Sequence, residues 1–308
     1  MGHLCLFQRE TKSMKIERYA AIDIGSNAVR VLISNVVVSP GTSPKYMKSS
    51  LVRVPIRLGQ DSFTVGEISP RNIKRMVKAM KAFKLIMKVN NVKKYMACAT
   101  SALREANNAS EVINEVKKKT GIEIQVIDGK REAEIIATTN IFESINKNRT
   151  FLFIDVGGGS TEFSVLVKGE RVISKSFKVG TVRMINNMVS EKVWEEIKEW
   201  VETHTKQYSK LALLGSGGNI NKLFKIAKVK EGRPLSMIKL NQLYNELNQL
   251  DYNERIVQWE LNPDRSDVII PATQIYLKAL QWSGASEIFV PKIGLSDGMI
   301  KVLYRENN

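Results

Sequence analysis

The stretch Leu152-Phe153-Ile154-Asp155-Val156-Gly157-Gly158-Gly159-Ser160-Thr161-Glu162 decides how this chain is read. An apolar strand ends at Asp155, three glycines turn the chain, and Phe163–Val167 reads as the returning strand. A plain hairpin has little use for three glycines, because each costs backbone entropy and packs no side chain. Three glycines do let backbone N–H groups approach an anion closely, and Ser160 and Thr161 add hydroxyls. Upstream lies a shorter copy, Ile22-Asp23-Ile24-Gly25-Ser26-Asn27, between the strand Tyr19–Ile24 and a second strand Val29–Val38. For this copy alone, a structural hairpin and a phosphate loop read equally well. Both turns lead back into strands. That excludes a GxGxxG dinucleotide fingerprint and a GK[ST] P-loop, which must open helices. Two strand–turn–strand units predict two α/β lobes of related topology facing one cleft.

The 308 residues, 43% of them hydrophobic, suit about two packed domains. We read residues 1–14 as a tail or upstream-start extension, 15–137 as the first domain and 138–308 as the second. The last helix, near Met299–Arg305, is a candidate to return to the first domain. Residues around Ala137–Ile141 are expected to connect the lobes. No apolar run approaches the ~20 residues needed to span a bilayer, and Met1–Ser13 lacks the pattern of a signal peptide. A cytoplasmic protein with no membrane partner is expected.

Two cysteines and two histidines bound the chemistry. They exclude a disulfide framework and a histidine-based zinc or iron site. Cys98, in an apolar strand, reads as buried and inert. Any metal must be held by oxygen ligands, which points to Mg²⁺, Mn²⁺ or Ca²⁺. The formal charge of +16 attracts polyanions. With 7% aromatics and no recognisable motif, nucleic acid is the least favoured of them.

Further along the chain, Leu51–Leu58 reads as a third strand. Ser69-Pro70 opens a long helix whose Ile73, Met76, Val77, Met80, Phe83 and Met87 face a core. Its other face carries Lys74, Lys78, Lys81, Lys84 and Lys88, and is either a solvated surface or a guide for a polyanion. Lys175, Lys178 and Arg183 are further candidates for that guiding role. Ile122–Ile127 reads as a strand and Arg131–Ile145 as a helix. Taken singly, Glu132 is a first-turn acid serving a helix dipole, Arg104 a surface arginine and Glu162 an ordinary strand residue.

Together, the segments AAIDIGSNAVR, ACATSALREANNA, IDGKREAE, LFIDVGGGSTE, KVGTVRM and GSGGNI resemble the exopolyphosphatase/guanosine pentaphosphate phosphohydrolase (Ppx/GppA) family. That family lies in the actin, Hsp70 and sugar kinase superfamily. The similarity runs from Ala20 to Leu223 and, more weakly, through Gly294–Ile300. It implies two actin-like (ribonuclease H-like) domains with an interdomain cleft, in a short two-domain form. It also implies release of the terminal phosphate of polyphosphate or guanosine pentaphosphate, with Mg²⁺ (or Mn²⁺) and a place in the stringent response. Glu132 matches the family's catalytic glutamate, and Arg104 the arginine that holds the transferred phosphoryl group. Asp155, Glu162 and Asp23 match metal-site acids. Gly25, Ser26 and Asn27, then Gly157, Gly158, Gly159, Ser160 and Thr161, match the two phosphate loops. Gly215, Gly217 and Gly218 match a further loop. Many relatives carry a second glutamate where this chain has Arg131, a change that could alter the neighbouring base. A non-catalytic polyphosphate or alarmone sensor and a superfamily kinase acting on a small acceptor are the alternatives. A homodimer is left open.

Overall fold

A computed structural model describes residues 14–139 and 149–307. The expected tail and the link beyond Thr139 lie outside the described residues. The first half contains β1 (Lys15–Ile24), β2 (Val29–Val38), β3 (Lys45–Val54), α1 (Leu58–Thr64), α2 (Pro70–Val89), β4 (Lys94–Ala99), α3 (Ser101–Glu105), α4 (Ala109–Thr120), β5 (Gln125–Val126) and α5 (Gly129–Ala137). Its sheet has the order β3-β2-β1-β4-β5, with β1 antiparallel to β2 and parallel to β4.

The second half contains β6 (Thr150–Val156), β7 (Thr161–Val167), β8 (Glu170–Phe177), α6 (Thr181–Ile185), α7 (Glu191–Thr205), β9 (Leu211–Ser216), α8 (Gly218–Ile226), β10 (Leu235–Ser236), α9 (Met237–Gln249), α10 (Tyr252–Gln258), α11 (Pro263–Ser266), α12 (Ile269–Ser283), β11 (Glu287–Phe289) and α13 (Leu295–Arg305). Its sheet runs β8-β7-β6-β9-β11, with β10 added at the edge. The two halves thus repeat one order: a three-strand meander followed by strands added parallel to its first member. This is the two-domain actin-like fold, as the repeated turns imply.

Alternation along the central strands explains the layering. In β1, Ala20, Ile22 and Ile24 face a core built with α2 and α4, while Tyr19 and Ala21 face the opposite side. In β6, Leu152, Ile154 and Val156 face a core built with α7, α9 and α12, while Phe151 and Phe153 face the opposite side. Both opposite sides share one apolar cluster with α5 and α13. The last helix does pack on the first sheet, where Tyr304 meets the edge of Tyr19 at 5.8 Å. The helices α5 and α13 meet backbone to backbone, since a Cβ on Gly298 would fall 2.1 Å from the carbonyl oxygen of Ile135.

Three expectations need correction. The third strand is Lys45–Val54, not Leu51–Leu58. Pro55 cannot donate to the ladder, Arg57 adopts a left-handed conformation at φ 64°, and Leu58 opens α1. The strand expected over Ile122–Ile127 is only Gln125–Val126. The helix expected over Arg131–Ile145 is Gly129–Ala137 as far as the described residues go. By contrast, α2 begins where its Ser-Pro signal places it, with Ser69 Oγ accepting from the Asn72 amide.

Candidate active site

Both turns close through a glycine amide. Gly25 N–H donates to Ala28 (3.1 Å) and Gly157 N–H donates to Ser160 (2.9 Å). These tight closures set the hairpin registers, and the registers place the acids. Asp155 pairs directly across the strands with Glu162, and Asp23 with Arg30. Directly opposed residues share one face of a sheet. Glu162 is therefore a cleft residue, aligned by its strand partner.

The turns also touch each other. A Cβ on Gly158 would fall 2.7 Å from the Cβ of Ser26. Gly180 presses on Gly158 in turn, and α6 follows it, with Val182 N–H donating to the Gly158 carbonyl (2.8 Å). Ser26 Oγ lies 3.0 Å from Ser101 Oγ, at the start of α3. The result is a cavity of about 980 Å³ between the lobes, lined by both turns.

Glu132 reaches this cavity from the first turn of α5. Asp128 caps that helix, its carboxylate accepting from the Arg131 amide (2.7 Å). Gly129 lets the helix end approach β8, since a Cβ there would sit 3.0 Å from the Ser176 Cβ. Glu132 is 8% exposed. Burial first, then the charges of Glu162, Asp155 and Asp23, push its carboxyl well above the usual range, against the pull of Arg104. Glu162 accepts from Ser160 Oγ (2.8 Å) and Ser176 Oγ (3.0 Å). Burial and Asp155 still raise it to about 7. Burial raises Asp155 to about 6.

Among these acids stands an arginine wall that sequence reasoning missed, Arg30, Arg53 and Arg265, with Arg30 Nε 3.3 Å from Asp23 Oδ2. The Arg265 guanidinium lies on Gly218, where a Cβ would come within 2.6 Å of it. Burial and the neighbouring Arg53 and Arg30 lower it to about 10, so it stays charged at neutral pH. Arg30 was legible, because the register of the first hairpin puts it opposite Asp23. Arg265 carried no local signal, being brought in from α11 by the fold. Thr100 and Ser101 also line the cavity, at the start of α3.

The remaining sequence-derived residues divide. Gly25, Ser26, Asn27, Gly157, Gly158, Ser160, Gly217 and Gly218 line the cavity. Gly159 lies beneath it, where a Cβ would strike the Phe63 ring at 2.2 Å. Thr161 is fully buried, its hydroxyl donating to the Val179 carbonyl (2.6 Å). Gly215 is packed under Ile288 and Tyr276. Asn27 spends its amide on the Asp264 carbonyl (3.0 Å) across the seam. Arg104 donates to the Ile127 carbonyl (2.8 Å), close enough to Glu132 and Glu162 to offset their charge. Arg131 points elsewhere, toward Glu134 (3.3 Å). Arg183 is not a free guide for a polyanion. It is buried over Phe63, donates to the Gly159 carbonyl and pairs with Glu105. Cys98 is buried, and its thiol is raised to about 12.

The donor set fits a hard divalent cation. Asp23, Asp155 and Glu162 crowd Glu132 in the cavity and raise the cost of ionising it, a strain that a cation relieves. Among the described residues, no three acidic, histidine or cysteine side chains form a ready-made cage. That suits an ion held by one or two carboxylates, with water and substrate oxygens completing its shell.

The profile of the Ppx/GppA phosphatase family matches residues 52–305. The chain belongs to that family. A bifunctional 3-dehydroquinate synthase/phosphatase of Fusobacterium nucleatum is 31% identical over 323 residues, covering 94% of this chain and 48% of that protein. Exopolyphosphatase 1 of Mycobacterium tuberculosis is 31% identical over 168 residues, covering 54% of this chain and 47% of that protein. The chain thus spans about half the length of the curated relatives it matches. Among solved structures, an exopolyphosphatase from Cytophaga hutchinsonii superposes with a TM-score of 0.83 at 24% identity, covering 94% of this chain and 98% of that one. The Aquifex aeolicus family member superposes with a TM-score of 0.74 at 23% identity, covering 96% and 99%. These likenesses show the fold. No helix among the described residues is long and apolar enough to cross a membrane.

Proposed function

We propose that this chain is a Mg²⁺-dependent phosphohydrolase that releases the terminal phosphate of inorganic polyphosphate or guanosine pentaphosphate. The observation that carries the reading is the placement of Glu132. It is a buried carboxylate with a raised affinity for protons, in a cavity lined by two glycine turns and three arginines.

The terminal phosphoryl group sits between the turns, within reach of their backbone amides and of Ser26 and Ser160. Bridging oxygens and further phosphates extend toward Arg30, Arg53 and Arg265. Glu132 takes a proton from a water molecule, whose oxygen attacks the terminal phosphorus as the bridging P–O bond breaks. The shortened chain leaves with the electron pair of that bond, and the proton passes from Glu132 to the released phosphate or to solvent. The charges of Glu162, Asp155 and Asp23 raise the proton affinity of Glu132, which strengthens it as a base once it is ionised. Arg104 keeps that affinity from rising further. Asp155, with Asp23 or Glu162 as a second carboxylate, would hold the divalent cation, which would supply charge neutralisation for the phosphate oxygens.

Phosphate release from polyphosphate and from guanosine pentaphosphate with Mg²⁺, comparing wild type with Glu132→Gln, tests the reading. The expected loss is about 10²- to 10⁴-fold. Equal rates in the two proteins would remove Glu132 as the base. No release from either substrate would remove the activity.

A further inference from the structure

Between Glu67 and Glu105 the sequence contains no Asp or Glu, yet it carries Arg71, Lys74, Arg75, Lys78, Lys81, Lys84 and Lys88 on α2 alone. Lys74, Lys78, Lys81 and Lys88 recur at spacings of four, three and seven residues, which places them on one stripe of the helix. All four are exposed. Like charges one turn apart weaken a helix, so the stripe is no help to folding. Many lysines elsewhere on the surface are neutralised, as in Lys93–Glu17, Lys117–Glu123, Lys292–Glu231 and Lys48–Asp297. Among the described residues, these four have no acidic partner.

The stripe is connected to the cleft. Arg53 lines the cavity, and Arg57 pairs with Asp267 at its seam (2.5 Å). Next to Arg57 in sequence, the carbonyls of Pro55 and Ile56 accept from the Arg75 guanidinium (2.6 and 3.0 Å), which joins this edge of the cleft to α2. From there α2 runs its 20 residues away from the cavity, about 30 Å at the helical rise. Arginines therefore mark the edge between the cavity and α2, although Arg53 and Arg57 are paired with Asp264 and Asp267, and the unpaired charge begins at the lysines of the outer face of the first lobe.

We propose that this face of α2 is a docking track for the trailing part of a long linear polyphosphate whose terminal unit occupies the cleft. The proposal rests on the polyphosphate reading of the cavity and adds a binding site outside it. A line of unpaired lysines holds a line of phosphates by displacing condensed counterions, without fixed geometry. The exposed apolar residues beside the lysines are Leu85 and Val89, which offer no ring on which a base could stack. That favours inorganic polyphosphate over nucleic acid.

The test is a fourfold Lys74→Gln, Lys78→Gln, Lys81→Gln, Lys88→Gln variant. Gln matches Lys in helix propensity, so the fold is retained. Binding of long-chain polyphosphate and of tripolyphosphate is measured against salt in a Glu132→Gln background, where turnover does not interfere. The expected result is at least about tenfold weaker binding of the long chain at low salt. Its salt slope should be shallower by about 3, at about 0.7 per charge removed. Tripolyphosphate binding should be unchanged. Unchanged long-chain binding would overturn the track. So would a variant that lost affinity only for single-stranded DNA or for anionic phospholipid vesicles. Because binding is read without hydrolysis, failure of the proposed activity and failure of the track are separate outcomes.

Discussion

Gly158 and Ser26 belong to different lobes, and there is no room for a methyl group between them: a Cβ on Gly158 would fall 2.7 Å from that of Ser26. The two glycine turns are thus one continuous wall. Gly158→Ala is expected to push them apart, at an overpacking cost of about 1–3 kcal/mol. Phosphate release should fall at least about tenfold, since donors displaced by an ångström lose their alignment. Thermal unfolding and kinetics on the same variant check this. Full activity would mean that the contact is not needed for the site.

The crowded acids predict an unusual dependence of stability on pH. The Asp155 carboxyl is raised to about 6 and that of Glu162 to about 7, both above their unfolded values. The folded state therefore binds more protons than the unfolded state between about pH 4 and pH 7. Their contribution is fully present below that window and is lost as pH rises through it. Glu17 acts oppositely and lower down. Its hydrogen bonds to Lys15, Lys93 and Tyr19 hold it at about 2, so its contribution is lost as pH falls below its ordinary range. Without divalent metal, the melting temperature should drop between pH 4 and pH 7. Asp155→Asn should flatten the drop, and Mg²⁺ at pH 7 should offset it. Melting curves across pH with and without EDTA check the sign.

Arg131 stands where many relatives carry glutamate, yet its side chain pairs with Glu134 on the exposed side of α5. Arg131→Glu should leave activity within about twofold, the range of an exposed substitution. A shift of the pH–rate profile by a full unit would show that the position does tune Glu132.

Two ion pairs, Arg53–Asp264 and Arg57–Asp267, join the lobes across the cleft, alongside the bond from Asn27 to the Asp264 carbonyl. Asp264→Asn with Asp267→Asn is expected to open the unliganded protein. Small-angle scattering should report a larger radius of gyration than for wild type, and added polyphosphate should reduce it. Identical curves for the two unliganded proteins would free these pairs of any role in closure.

The legible parts of this molecule were those that local pairing determines. Gly25 and Gly157 closed their hairpins through their amides, and the registers then carried Asp23, Arg30, Asp155 and Glu162 into position. Ser69 started α2 through its own side chain. Long-range geometry was not legible. Nothing near Arg265 says that it will lie on Gly218, and nothing near Arg183 says that Phe63 and Glu105 will bury it. Leu51–Leu58 misled because its alternation continues past Pro55, where the ladder has already lost its donor. Glu132 was visible only through the family resemblance. By itself it is one more acid in a first helical turn, and only the approach of Gly129 to β8 brings it beside Glu162.

The bare crossing of α5 and α13 at Gly298 has a mechanical consequence. Side chains that interlock along a helix pair resist rotation, because each knob must climb out of its hole. At Gly298 there is no knob, and the neighbouring backbone of Ile135 fills the space. Glycine in mid-helix costs up to about 1 kcal/mol relative to alanine. The chain accepts that cost where the helices common to both lobes come closest. The crossing works as the rivet of a pair of scissors, fixing the two helices at backbone distance where the lobes share them.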